Sequence, residues 1–211
     1  MEINTNTKKG QIIRGSKLGE IIYDLAKDPE NKTFLDSGTF NGLGTTKCIY
    51  DGIKDSKKTD FKVYSFECNF SRHLEAIQNL NPLMKGFNLI HGTIISPDEI
   101  EYHKDIEEVK ISIMINWLNE DLELMKKCKC YSDKVKSIFW DVAILDGSEF
   151  TGDEEFNLIK NNIKYLILDD TKAYKHSRNR QFILNNLDLF ELIEDNITDR
   201  NGYLVCKNKN Y

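Results

Sequence analysis

Three aspartates close two short apolar runs. Asp146 ends the run WDVAILD at 140–146, and Asp169 and Asp170 end YLILDD at 165–170. If both runs are neighbouring strands of one parallel sheet, the three carboxylates crowd one end of it. Like charges at one place repel unless something positive joins them. A cluster of hard oxygen donors suits Mg²⁺ or Mn²⁺. A divalent cation there would stabilise an alkoxide as it develops on a hydroxyl, while a nearby base takes the proton. The plainer reading is that the three are ordinary strand-end and helix-capping acids. His176 follows six residues after Asp170. It is a candidate general base or acceptor ligand, or else a loop histidine that contacts solvent or backbone. Lys172, Lys175, Arg178 and Arg180 surround it. They either solvate a helix face, balance the acids or meet an anionic acceptor.

A second constellation lies earlier, in FLDSGTFNGLGTT at 34–46. It reads as a strand, a glycine-rich turn and a helix start. Gly38, Gly42 and Gly44 allow the backbone to approach a ligand closely at a helix N-terminus, with Thr39, Phe40, Asn41 and Thr45 around it. Glycine-rich turns also serve dinucleotides, but this spacing departs from G-x-G-x-x-G. Asp36 would sit badly beside a pyrophosphate. It suits a cofactor that has no phosphate but carries a sulfonium and an α-amino group. Glu67 ends the next apolar run about 20 residues further on, where a nucleoside ribose is usually gripped.

The elements that must position these residues follow from periodicity. Strand-like runs at 33–36, 62–67, 88–91, 140–146 and 165–169 alternate with helical patterns at 44–53, 71–79, 156–161 and 177–185. Alternation of this kind implies parallel pairing through right-handed crossovers. Two last strands, at 189–193 and 203–206, flank the turn formers DRNG at 199–202 and read as an antiparallel hairpin. The expected architecture is α/β and Rossmann-like, with about seven strands and helices on both faces. The chain of 211 residues reads as one domain, with an N-terminal arm at 1–15 and a helical connection at 96–137. A net charge of −5 with scattered basic residues speaks against nucleic acid. The polar N-terminus and short apolar runs speak against a signal peptide and a membrane span. Five unpaired cysteines fit reduced thiols and a cytoplasmic location. Cys128 and Cys130 form the one cluster among them.

DSGTFNGLGT followed by YSFE resembles motifs I and II of class I S-adenosylmethionine-dependent methyltransferases, whose sheet also ends in an antiparallel hairpin. The resemblance implies that Asp36 and the turn from Gly38 to Gly44 hold the methionine part of the cofactor and that Glu67 holds the ribose. The adenine would lie near Thr93 in HGT. WDVAILDGSEFTGDEEF and YLILDDTKAYKH further resemble a metal-dependent branch that includes macrocin and rhamnosyl O-methyltransferases and the protein called cephalosporin hydroxylase. That likeness implies Asp146, Asp169 and Asp170 as Mg²⁺ ligands and a sugar or glycan hydroxyl as acceptor; from their own chemistry, Asp146 and His176 are the candidate catalytic residues. Tyr174 is placed either to stack on a sugar ring or to pack in the core. Methylation of a small phenol or catechol is the alternative within this chemistry. A nucleotide-dependent oxidoreductase and a non-catalytic binding module are the alternatives outside it.

Overall fold

The structure is a computed structural model that describes residues 11–100 and 108–211, with the backbone alone at 108–112. Residues 1–10 of the expected N-terminal arm and 101–107 of the expected connection lie outside the described residues.

The strands are β1 (Thr33–Asp36), β2 (Lys62–Glu67), β3 (Phe87–Thr93), β4 (Lys129–Cys130), β5 (Trp140–Leu145), β6 (Ile163–Asp169), β7 (Phe190–Asn196) and β8 (Tyr203–Asn208). The helices are α1 (Lys17–Lys27), α2 (Thr45–Ser56), α3 (Phe70–Asn79), α4 (Glu108–Met125), α5 (Ser132–Lys136), α6 (Gly152–Ile159) and α7 (Ser177–Asn185). One eight-stranded sheet runs β4-β3-β2-β1-β5-β6-β8-β7. Every pairing from β4 to β6 is parallel, and β8 pairs antiparallel with both β6 and β7. The order reverses between β1 and β5, with Asp36 in register with Ile144. A doubly wound sheet binds its ligands at such a switch point, beyond the carboxyl ends of the strands.

Central parallel strands are covered on both faces, so successive residues feed alternate cores. Phe34, Val142, Ile144, Ile167 and Val205 join Ile22, Ile49 and Ile53 of α1 and α2 on one side. Leu35, Ala143, Leu145, Leu166 and Leu168 join Phe156, Ile159 and Ile183 of α6 and α7 on the other. Asp141 stitches the lower end of the switch point by accepting the Lys32 and Thr33 amides at 2.7 and 2.9 Å. α1 starts at Ser16, whose hydroxyl accepts the Gly19 amide in an N-cap, and buries Leu18, Ile22 and Ala26. The alternation pattern missed this helix. It also missed β4, whose two residues are too few to show a period and which attaches to β3 through Gly92 and Thr93.

Candidate active site

A cleft of about 660 Å³ opens at the carboxyl ends of β1, β2, β3 and β5. That is the size of a cleft for a small-molecule ligand. Its walls come from the turn after β1 (Ser37, Gly38, Thr39, Phe40, Gly44, Thr45), from Glu67 and Thr93, and from Asp146 to Ser148. Gln11 and Ile12 reach it from the start of the described chain, and Asp121, Leu124 and Met125 from α4.

The turn after β1 is built by packing as much as by ligand access. A Cβ on Gly38 would lie 2.0 Å from the Asp146 carbonyl oxygen, so β1 and β5 can close together only with glycine there. Gly42 has φ +77° and lies where a Cβ would be 3.1 Å from Ala76 of α3. Phe40 has φ +50°, in the left-handed region, and places an exposed ring on the cleft wall. The Arg72 guanidinium sits 4.4 Å from the centre of that ring. Asn41 and Gly42 do not line the cleft. The Asn41 carboxamide oxygen instead accepts from Gln11 and from the Leu43 amide, both at 3.1 Å, and so ties the turn together.

Asp36 is set back from the cleft. It is fully buried behind the turn and forms no part of the cleft wall. Its carboxylate accepts the Thr46 hydroxyl at 2.6 Å and the Ser65 hydroxyl at 2.8 Å. Burial pushes its pKa up to about 6, against these hydrogen bonds. Those two hydrogen bonds brace β1 against β2 and α2. Glu67 does face the cleft. One of its oxygens accepts the Asn69 amide at 2.8 Å, and burial pushes its pKa up to about 7. Thr93 lines the β3 side, but its hydroxyl already donates to the Ile95 carbonyl at 2.9 Å.

His176 is likewise set back from the cleft. It is fully buried at the N-cap of α7 and does not line the cleft. Its Nε2 donates to the Leu145 carbonyl at 3.0 Å, and Asn179 donates to its Nδ1 at 3.0 Å. Those two partners fix a neutral tautomer. Burial and the neighbouring Lys175 ammonium pull its pKa down to about 3. A ring with both nitrogens engaged inside the protein cannot collect a proton from an acceptor. Tyr174 packs on Phe150, with Arg178 over its ring, and likewise stays out of the cleft wall.

Asp146, Asp169 and Asp170 do converge. One oxygen from each lies within 4.8 Å of the others. The positive partner in the structure is Lys175, whose side chain is only 5% exposed. Its Nζ lies 2.8 Å from Asp146 Oδ1 and 3.2 Å from Asp170 Oδ2. Burial would lower the pKa of this ammonium, but the carboxylates of Asp146 and Asp170 outweigh that and raise it. Arg200 forks onto Asp169, with Nε at 3.3 Å and a terminal nitrogen at 2.7 Å. A magnesium ion needs its ligand oxygens to meet one point at about 2.0–2.1 Å. Here two carboxylates meet at an ammonium and the third is held by a guanidinium. As arranged, these residues do not fit a divalent ion.

Two cleft residues that the sequence reading passed over are Lys175, noted only within a basic cluster, and Glu155. Glu155 is 4% exposed, lines the cleft and accepts the Thr151 hydroxyl at 2.7 Å through one oxygen. Its other oxygen, Oε2, is buried with no hydrogen-bond partner. Burial pushes its pKa up to about 7. In the sequence it is one of three acids opening a helix and looks like a helix-dipole partner.

No family model matches the chain, and no curated protein sequence matches it. Solved structures do resemble it in fold. An O-methyltransferase from Bacillus cereus in complex with SAH superposes with a TM-score of 0.54 at 11% identity, covering 91% of this chain and 80% of that one. The SAH-bound methyltransferase of Podospora anserina gives 0.57 at 10% identity, over 91% and 78%. A methyltransferase from Geobacter sulfurreducens gives 0.56 at 13% identity, over 93% and 80%. The chain has the α/β Rossmann-like fold of class I methyltransferases, with its closing antiparallel hairpin.

Proposed function

We propose that this protein is an S-adenosylmethionine-dependent O-methyltransferase whose acceptor is a sugar hydroxyl on a glycan or glycosylated small molecule. The observation that carries the reading is the cleft at the sheet's switch point. Its walls set the glycine turn between Glu67 at the end of β2 and Asp146 just after β5.

The donor set suits a cationic nucleoside without phosphate. Glu67 can accept from both ribose hydroxyls. The unpartnered Glu155 Oε2 can accept from an α-ammonium group. Ser37 to Phe40 wall the space for the methionine chain. S-adenosylmethionine, when bound, supplies an electrophilic methyl group on sulfur. The chain's task is then to align an acceptor oxygen with that methyl and to remove its proton. Of the carboxylates on the cleft wall, Asp146 just after β5 is assigned the second task. Asp146 would take the hydroxyl proton of an acceptor positioned at the cleft. A carboxylate suffices as base, because the oxygen becomes strongly acidic once it is alkylated.

The cleft's composition favours a sugar over a phenol. Phe40 and Phe66 are the aromatic residues on its wall, whereas Gln11, Asn69, Asp121 and Ser148 are polar. A phenol pocket would present several aromatic faces. The test is transfer of labelled methyl to a panel of glycans, nucleotide sugars and catechols. The expected result is labelled sugar with little labelled catechol. Labelled catechol alone would contradict the acceptor class, and no transfer to any hydroxyl compound would contradict the reaction.

A further inference from the structure

We propose that Lys175 is the resident cation of the acidic trio, occupying the place a divalent ion would take, so that the protein needs no metal. The functional half of this rests on the proposed methyl transfer; the binding half does not.

Lys175 is built into the site. Its amide donates to Glu149 Oε1 at 3.2 Å, and its carbonyl oxygen lies where a Cβ on Gly152 would be 2.1 Å away. The backbone of Lys175 is thus pressed against the first residue of α6. The loop before it is pinned from the other side. Asp170 has φ +55°, the Thr171 amide donates to the Gly202 carbonyl at 3.0 Å, and the Lys172 amide to the Asn201 carbonyl at 2.8 Å. The same β7–β8 turn carries Arg200 onto Asp169. One loop and one turn, stitched together, therefore deliver two cations to three carboxylates.

Charge then decides between ammonium and metal. Three carboxylates with Lys175 and Arg200 carry a formal −1. A divalent ion added beside Lys175 would face that ammonium across the very oxygens that Lys175 contacts. An ion could enter only by evicting a lysine whose backbone is fixed on both sides. The ammonium also lies on the cleft wall beside Asp146, where it balances that carboxylate's charge without a metal.

The experiment is a Mn²⁺ titration followed by the electron paramagnetic resonance signal of free ion, on wild type, Lys175→Ala, Lys175→Met and Lys175→Ala/Asp170→Ala, with and without S-adenosylhomocysteine. Wild type is expected to leave the signal unchanged. Lys175→Ala should bind one ion about 10²-fold more tightly than wild type, because a like charge next to two ligands is gone. The added Asp170→Ala change should abolish that binding. Lys175→Met keeps the bulk if the smaller side chain unfolds the loop. Wild-type binding of one equivalent of Mn²⁺ that is no weaker than that of Lys175→Ala would overturn the proposal. So would folded Lys175 variants that bind no Mn²⁺. Both readouts are independent of methyl transfer, so they stand even if the enzymatic reading fails.

Discussion

Adjacent residues in the chain, Lys175 and His176, point to opposite sides of one loop. The lysine reaches the cleft with a permanent charge, and the histidine turns inward and loses its own. In sequence the histidine is a candidate base because imidazole titrates near neutrality, and equally a loop histidine. The sequence does not show that β5 ends in a carbonyl waiting for Nε2, or that Asn179 approaches Nδ1 from the first turn of α7. Both rings of reasoning yield a measurable difference. His176→Ala should cost about 2–4 kcal/mol of stability, from lost packing and two buried hydrogen bonds. Methyl transfer per folded molecule should fall less than about tenfold, against the 10²–10⁴-fold expected of a general base. Denaturant melts and kcat measured on the same preparation separate the two. A kcat loss above about 10²-fold with an unchanged melt would restore the catalytic role.

Elements explain why the turn after β1 reads so clearly in sequence while its acid was misplaced. The strand, glycines and helix start are local features and appear in FLDSGTFNGLGTT as they stand in the fold. The role of Asp36 is not local: its partners Thr46 and Ser65 come from α2 and β2. β5, β6 and the closing hairpin were legible because apolar runs of this length between turn formers leave few alternatives. α1 hid in a stretch with no strand to alternate with, and β4 is two residues long. The glycine turn also shows how element packing makes a site. At Gly38 the two sheet halves meet with no room for a methyl group. Gly38→Ala should lower stability by about 1–3 kcal/mol, as overpacking does. It should also weaken S-adenosylhomocysteine binding, since both walls of the cleft move apart. A variant that melts and binds like wild type would show that β1 and β5 are less tightly joined than the structure has them.

For the whole molecule, the sheet brings four separated stretches of chain to one cleft: the turn after β1, the ends of β2 and β5, and the lysine loop after β6. No helix among the described residues is long and apolar enough to cross a membrane. On this reading the cleft binds a phosphate-free nucleoside through Glu67. Binding of ribose hydroxyls requires the charged carboxylate, and the free-state pKa of Glu67 is raised to about 7 by burial. Bound ligand must therefore pull that pKa down and release a proton below it. Affinity should rise as pH climbs from about 6 to about 8, the side on which the carboxylate is already charged. The most direct test is calorimetric titration of S-adenosylhomocysteine into wild type and Glu67→Ala across that pH range, with NAD as the competing ligand. The account predicts one site in wild type, tighter at pH 8 than at pH 6, weakened by roughly 10- to 100-fold in Glu67→Ala through loss of hydrogen bonds to a charged group. Wild type that binds NAD in preference, or binds neither nucleoside, would contradict it.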